Sequence, residues 1–185
     1  LGGLVKKLDD RVALVSIMRV QNEVGYVFPI TEVSKRVHGY VPHALVHTDG
    51  IQAFGKVDFY PREMGVDLAS LCSHKIGGPQ GIGALYVKNG VKLFTTAFGG
   101  GQEHGLRSGT ESVPLIVGFA RAVEIVMARR EKQNERLREL KNRTEKSIVE
   151  ICSDAIVNSR EVGSPYTVNV SFPSFSSGID LPFFD

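Results

Sequence analysis

The chain has 185 residues, of which 42% are hydrophobic and 23% are charged, a composition that is ordinary for a globular domain. Its formal net charge of +2 gives no electrostatic reason to expect a nucleic-acid partner. No apolar run approaches the roughly 18 residues of a membrane span, and no signal peptide opens the chain. We therefore expect no nucleic-acid and no membrane partner.

The two cysteines, Cys72 and Cys152, lack the spacing of a metal site or of a disulfide framework. This indicates a reducing compartment, and we expect a cytoplasmic protein without a metal site. An organellar location stays open, because the chain begins at Leu1 and its natural N-terminus is not visible. We expect the chain to be a piece of a longer protein.

The first half of the chain alternates apolar runs with one amphipathic segment. Residues 12–18 form a nearly continuous apolar run, which is typical of a strand buried on both faces. Residues 29–37 predict a short helix, with Thr31 as its N-cap and Gly39 as its end. Further strands are predicted at residues 44–48, 64–72 and 83–87. This order predicts an α/β fold with a mostly parallel, mixed sheet flanked by helices.

The second half of the chain is dominated by a helical pattern over residues 115–151. Its middle part carries interleaved charges of both signs, which is typical of a helix that bridges or covers domains and keeps a solvated face. Residues 158–165 predict a loop, and residues 167–172 alternate as a strand does.

Three polar residues follow the ends of predicted strands. They are Asn22, Asp49 and Lys75. Because ligands in open α/β sheets bind beyond the carboxyl ends of the strands, these residues are candidates for a binding site. A lysine at a strand end is unusual unless its amine is used there, because a buried ammonium is costly and a neutral lysine attacks aldehydes. The alternative is a surface lysine before a tight turn.

The residues around this lysine are of the types that pyridoxal phosphate chemistry requires. That chemistry needs a lysine for the Schiff base, an acid beside the pyridine nitrogen and anchors for the phosphate. Asp49 and Gln52 are three positions apart and could face one ligand. His74 could donate to a phosphate or assist proton transfer. As single residues, Asp49 as a helix cap and His74 as a packed core imidazole are equally good interpretations.

A glycine-rich segment at residues 98–111 is a second candidate anion site. Glycine-rich backbone beside serine and threonine hydroxyls, just before a helix start, can bind an anion through its amides. A flexible connector is the alternative interpretation.

Four segments, residues 16–25, 47–52, 73–87 and 99–110, occur in an order that closely resembles one enzyme family. They are similar to the cysteine desulfurases of the NifS/IscS type, in the class V branch of the fold-type I pyridoxal phosphate enzymes. The matching residues run from about Val12 to Phe172, which is nearly the whole chain.

The resemblance implies roles for four residues around the cofactor ring. Lys75 would form the Schiff base with pyridoxal 5'-phosphate, and Asp49 would pair with the pyridine nitrogen. Gln52 and Asn22 would contact the ring hydroxyl oxygen and the substrate.

It also implies how the cofactor phosphate would be held. His74 would bind it within one subunit, and Thr110 would reach the phosphate of the neighbouring subunit in a homodimer. Cys72 stands where the family usually has a phosphate-binding serine, and a thiol is the poorer donor. His104 and Gln21 stand where arginine and asparagine are common, which we expect to be tolerated.

The implied reaction takes sulfur from L-cysteine, giving L-alanine and a persulfide on an enzyme cysteine, for transfer to a sulfur acceptor or iron–sulfur scaffold protein. Neither Cys72 nor Cys152 matches the persulfide cysteine, and the family's N-terminal part is missing. We therefore expect the chain alone to be inactive, and its uncovered apolar surfaces to favour self-association.

The implied organisation is a partial cofactor domain at residues 1–114, a connecting helix at 115–151 and the start of a small α/β domain at 152–185. Two alternatives stay open. One is a selenocysteine lyase or another class V lyase or aminotransferase. The other is a non-catalytic remnant that only folds and dimerises.

Overall fold

The computed structural model describes residues 2–159 and 163–174, which divide into two compact units. The first unit holds residues 2–19 and 29–128, and the second holds the other described residues. The division falls between Ala128 and Arg129, inside the longest helix. The domain boundaries at residues 114 and 151 stay a prediction.

The first unit is built on a four-stranded sheet. Its strands, in spatial as well as chain order, are β1 (Leu14–Met18), β2 (Leu45–Asp49), β3 (Leu68–Cys72) and β4 (Gly83–Val87). The helices are α1 (Gly2–Val5), α2 (Ile30–Tyr40), α3 (Pro61–Met64) and the first part of α4 (Val113–Ile151). The first three strands are parallel and β4 is antiparallel, which confirms the mostly parallel, mixed α/β sheet.

The core of this unit lies on one face of the sheet. Val15, Val46 and Ala69 occupy this face and are buried. Helix α2, which contacts β2, buries Ile30, Val33, Ser34 and Val37, a spacing of three and four that sets its apolar side against the sheet. The apolar spacing of α2 therefore located its buried side. The prediction that β1 is buried on both faces is wrong, because Leu14, Ser16 and Met18 are exposed on the other face.

Two details of α2 and one strand boundary differ from the predictions. Thr31 is not the N-cap, because the helix begins at Ile30 and Pro29 occupies the cap position without a side-chain hydrogen bond. Gly39 does not end the helix, which continues to Tyr40. The strand predicted from residue 64 begins at Leu68, because a proline at the start of α3 favours a helical turn.

The opposite face of the sheet is polar and partly exposed. His47 links three strands there: its Nδ1 lies 2.7 Å from Ser16 Oγ, and its Nε2 lies 3.3 Å from Ser70 Oγ. Leu14 and Leu85 on this face are each 52% exposed, and the expected self-association through apolar surface stays a prediction.

The second unit contains the rest of α4 and a small antiparallel pair, β5 (Ile156–Val157) and β6 (Val170–Ser171). The predicted strand over residues 167–172 is therefore shortened, because its partner offers two residues only. Within the two described stretches, no helix is both long and apolar enough to cross a membrane.

Candidate active site

The candidate site lies where β2 and β3 end in the first unit. The amide of Gly50 donates to the carbonyl of Ser70 at 2.9 Å, and the amide of Arg19 donates to the carbonyl of Asp49 at 2.8 Å. These bonds continue the parallel ladder beyond the strands, so the segments that follow β2 and β3 start side by side. Sequence-predicted residues on both segments therefore meet at one edge of the sheet.

Asp49 is the last residue of β2 and is half-buried. Its Oδ1 accepts the amide of Ile51 at 2.8 Å, which fixes the carboxylate in a turn. No helix begins there in the described structure, so the alternative of Asp49 as a helix cap is wrong. The second carboxylate oxygen has no hydrogen-bond partner in the described part of the chain, which leaves it available to a ligand.

Gln52 lies on the turn that follows Asp49. Its Oε1 accepts a hydrogen bond from Lys56 Nζ at 2.8 Å, and both side chains are half-buried. Lys56 is a site residue that the sequence interpretation missed. Its spacing of four from Gln52 becomes informative only once the helical hydrogen bonds of the turn are known, and the residue types do not reveal them.

Lys75 lies in a short 3-10 turn, His74–Ile76, directly after β3. The carbonyl of Ser73 accepts the amides of Ile76 and Gly78 at 3.0 and 3.1 Å, which closes the turn. Lys75 and His74 are both exposed, so the argument from a buried ammonium is wrong for Lys75, and His74 is not a packed core residue. The structure places the amine on an accessible turn.

The electrostatics connect the turn of Gln52 to that of Lys75. Burial lowers the pKa of Lys56, and the positive charge of Lys75 lowers it further, while Cys72 opposes the shift. Such an interaction needs the charges to be close. The geometry agrees, because a Cβ added at Gly55 would lie 3.1 Å from Ile76 Cγ2, so the turn of Gln52 and Lys56 packs against that of Lys75.

Ser73 is a second residue that the sequence interpretation missed. It is fully buried, and its Oγ has no hydrogen-bond partner among the residues described. Gly78 packs directly over it, since a Cβ added at Gly78 would lie 2.1 Å from that oxygen. The lysine turn is therefore closely packed on its inner side.

Cys72 ends β3 and is half-buried, paired with Gly83 of the antiparallel strand. This confirms that it lies in the strand before Lys75. Its place as a phosphate contact stays a prediction.

Thr110 is exposed on the glycine-rich segment before α4. This segment is not a simple flexible connector, because Ser108 Oγ donates to the carbonyl of Gly100 at 2.6 Å and the amide of Gly109 donates to Gln102 Oε1 at 3.1 Å. His104 has a φ of 56°, which is uncommon outside glycine and asparagine. No described contact joins Thr110 to the lysine turn, and its role toward a neighbouring subunit stays a prediction.

Asn22 belongs to the second unit, where it is exposed in a turn. The Oε1 of Gln21 accepts the amides of Glu23 and Val24 at 2.7 and 2.6 Å and so shapes this turn. The grouping of Asn22 with Asp49 and Lys75 stays a prediction.

Comparison with known proteins now identifies the family. The profile described as Aminotransferase class-V matches residues 2–181. The chain belongs to the class V aminotransferase family. Class V membership agrees with the resemblance seen in the ordered motifs around Asp49 and Lys75.

Curated relatives of this class V chain have a shared name. It is 41% identical over 172 residues to "Cysteine desulfurase, mitosomal" of Encephalitozoon cuniculi, a match that covers 91% of this chain and 39% of that protein. It is 40% identical over 168 residues to "Cysteine desulfurase" of Gluconacetobacter diazotrophicus, covering 90% and 42%. The chain therefore spans about two fifths of the length of these relatives.

Solved structures agree with the class V fold. A protein titled "NIFS-LIKE PROTEIN" superimposes with a TM-score of 0.89 at 37% identity, covering 94% of this chain and 47% of that one. DndA from Streptomyces lividans superimposes with a TM-score of 0.82 at 32% identity, covering 95% and 50%.

Proposed function

We propose that this chain is the cofactor-lysine segment of a pyridoxal phosphate-dependent cysteine desulfurase. The observation that carries the proposal is the meeting of the Asp49, Gln52 and Lys75 segments at one sheet edge, in a chain 41% identical to a protein named as such an enzyme. The whole enzyme would convert L-cysteine to L-alanine.

The donor set fits pyridoxal phosphate. Lys75 supplies an accessible amine for the aldehyde, and Asp49 supplies a carboxylate oxygen for the ring nitrogen. Gln52 supplies an amide for the ring oxygen, while His74 and Cys72 supply polar groups for the phosphate. When bound, the cofactor supplies an electron sink for bonds to the substrate α-carbon.

The residues of this chain have separate tasks in that chemistry. The Asp49 carboxylate would keep the ring nitrogen protonated, because an adjacent negative charge favours the charged form. Lys75 Nζ would hold the aldehyde of the cofactor, and as a free amine it would carry protons to and from the substrate carbons. His74 would assist this transfer or bind phosphate. Asn22 would contact the substrate and Thr110 the phosphate of a second subunit in a homodimer.

The sulfur acceptor is proposed to be a cysteine outside residues 1–185. In the overall step, the C–S bond of L-cysteine breaks and an S–S bond forms to the acceptor thiol, whose proton ends on the β-carbon of alanine. Cys152 is a poor acceptor, because its thiol donates to Asp154 Oδ1 at 2.9 Å and this hydrogen bond raises its pKa. The persulfide would pass to a sulfur-acceptor or iron–sulfur scaffold protein in the cytoplasm.

Two measurements test this proposal. The purified chain, incubated with pyridoxal phosphate, should gain a visible absorbance band, and Lys75→Ala should lose it while the exposed control Lys92→Ala keeps it. The chain should not release sulfide steadily from L-cysteine. A band that persists in Lys75→Ala would contradict the role of the lysine, and steady sulfide release would contradict the external sulfur acceptor.

A further inference from the structure

The turn between Gly50 and Val57 holds its side chains in a fixed arrangement. The amides of Ala53 and Phe54 donate to the carbonyl of Gly50 at 2.9 and 2.8 Å, and the amides of Lys56 and Val57 donate to that of Ala53 at 2.9 Å each. Successive bonds of this kind wind the chain as in a helix, so residues four apart share a side. Gln52 and Lys56 are such a pair.

The turn is also held in place by packing against buried side chains. Ala53 is fully buried, and the ring of Phe54 makes edge-on contacts with Phe59 and Phe119, with ring centroids 6.4 Å apart in both pairs. A Cβ at Gly50 would lie 2.3 Å from the Phe59 ring, so that ring packs directly on the backbone. The backbone that carries Gln52 and Lys56 therefore has little freedom to move.

The hydrogen bond between the two side chains fixes the orientation of the Gln52 carboxamide. A lysine ammonium has donors only, so its contact at 2.8 Å must be made with the carbonyl oxygen Oε1. The amino group Nε2 then lies on the other branch of the carboxamide, and it has no protein partner among the described residues.

We propose that Lys56 is a positioning residue, which holds Gln52 so that its Nε2 amino group faces the ligand bound beside Asp49 and Lys75. This inference rests on the proposed function for the identity of that ligand. The lowered pKa of Lys56, caused first by burial and then by Lys75, agrees with a lysine placed inside the site and not on its outer surface.

The orientation determines what kind of ligand atom Gln52 recognises. An amino group donates, so the atom opposite it must be a hydrogen-bond acceptor. On a pyridoxal ring this is the hydroxyl oxygen, and binding is stronger when that oxygen is ionised. Without Lys56 the carboxamide could turn, and its oxygen would then face the acceptor.

The first test compares two ligands with three proteins. Pyridoxal phosphate and its analogue without the ring hydroxyl are titrated into the wild-type chain, Lys56→Met and the exposed control Lys92→Met, and the dissociation constants are measured by absorbance. Lys56→Met should weaken pyridoxal phosphate about tenfold, the usual loss of one hydrogen bond, and leave the analogue nearly unchanged. Equal weakening of both ligands, or of neither, would overturn the proposal.

The second test needs no cofactor and separates this inference from the proposed function. In ¹H–¹⁵N spectra of the ligand-free chain, the Gln52 carboxamide signals, assigned with Gln52→Ala, should shift in Lys56→Met and stay close to wild type in Lys56→Arg, which keeps a donor. Unchanged signals in Lys56→Met would overturn the positioning role. If the wild-type chain binds neither ligand but these signals shift, the role of Lys56 stands and the proposed function fails.

Discussion

The carboxylate of Asp67 is buried and lies 2.8 Å from His38 Nε2, in a pair that joins helix α2 to the start of β3. The Oδ2 atom that contacts His38 also accepts the amide of Val46 at 2.9 Å, while Oδ1 accepts from Lys88 Nζ at 3.0 Å. Burial alone would raise the pKa of Asp67, but these three bonds outweigh it and the pKa is lowered.

Asp67→Asn should therefore destabilise the chain by about 2 kcal/mol, because the neutral amide loses charge-assisted bonds at a buried position. A carboxyl with a depressed pKa stabilises the folded state above its unfolded pKa, and this contribution disappears as the pH falls through the folded value. The difference between Asp67→Asn and wild type in urea unfolding should thus shrink below about pH 4. The exposed control Asp10→Asn should change little, and a difference that grows in acid would contradict the assignment.

Gly78→Ala should destabilise the lysine turn. The new Cβ would lie 2.1 Å from Ser73 Oγ and 3.0 Å from the Cβ of Ala122, so the turn must shift. We expect a loss of about 1 to 3 kcal/mol in the free energy of unfolding, as for other overpacked sites. The double variant Ser73→Gly/Gly78→Ala should recover part of the loss.

The matched control for this substitution is Gly39→Ala in α2. Nothing lies within 4 Å of a Cβ there, and alanine favours a helix interior over glycine by about 1 kcal/mol. Gly39→Ala should therefore raise the stability in the same unfolding assay. Equal effects of the two glycine substitutions would argue against steric crowding at Gly78.

Ser73→Ala should be neutral or stabilising by up to about 1 kcal/mol, because it removes a buried hydroxyl without a hydrogen-bond partner in the described structure. Ser34 is equally buried, but its Oγ donates to the carbonyl of Gly65 at 2.6 Å. Ser34→Ala should cost about 1 kcal/mol. Thermal denaturation of the two variants tests the contrast, and a larger loss at Ser73 would show that its hydroxyl has a partner.

Cys152 should react slowly with an alkylating reagent at neutral pH, because its hydrogen bond to Asp154 raises the pKa of the thiol and the thiolate is the nucleophile. Asp154→Asn should lower that pKa and shift the rate–pH curve toward lower pH. The rates are measured in a Cys72→Ser background, so that one thiol reports. An unshifted curve in Asp154→Asn would mean that this carboxylate does not control the thiol.

The sequence correctly predicted those elements in which the local preference of the residues agrees with the structure that they adopt in the fold. The strand at Gly83–Val87 has the predicted bounds, and the long helix begins at Val113, two residues before the predicted start. The class of fold followed from the order of strands and helices, although β1 is buried on one face only.

Other features depend on partners that are distant in the chain. The strand predicted over residues 167–172 forms a ladder over Val170–Ser171 only, since Ile156–Val157 supply just two pairing residues. The start of α2 was missed because Thr31 has the side chain of a cap, while the helix already begins at Ile30. Lys56 was missed because its part in the site depends on a turn whose winding is not evident from residue types.

The lysine turn lies in the loop that connects the antiparallel strands β3 and β4. The amide of Ser73 donates to the carbonyl of Ile82 at 3.3 Å, which joins the two ends of this loop. The amine is therefore carried by a hairpin, whose contacts are short-range in sequence. Asp49 instead depends on the crossover between β1 and β2, which takes in all of α2. Short-range contacts form early and reform readily after local opening, so Lys75 would regain its place before Asp49.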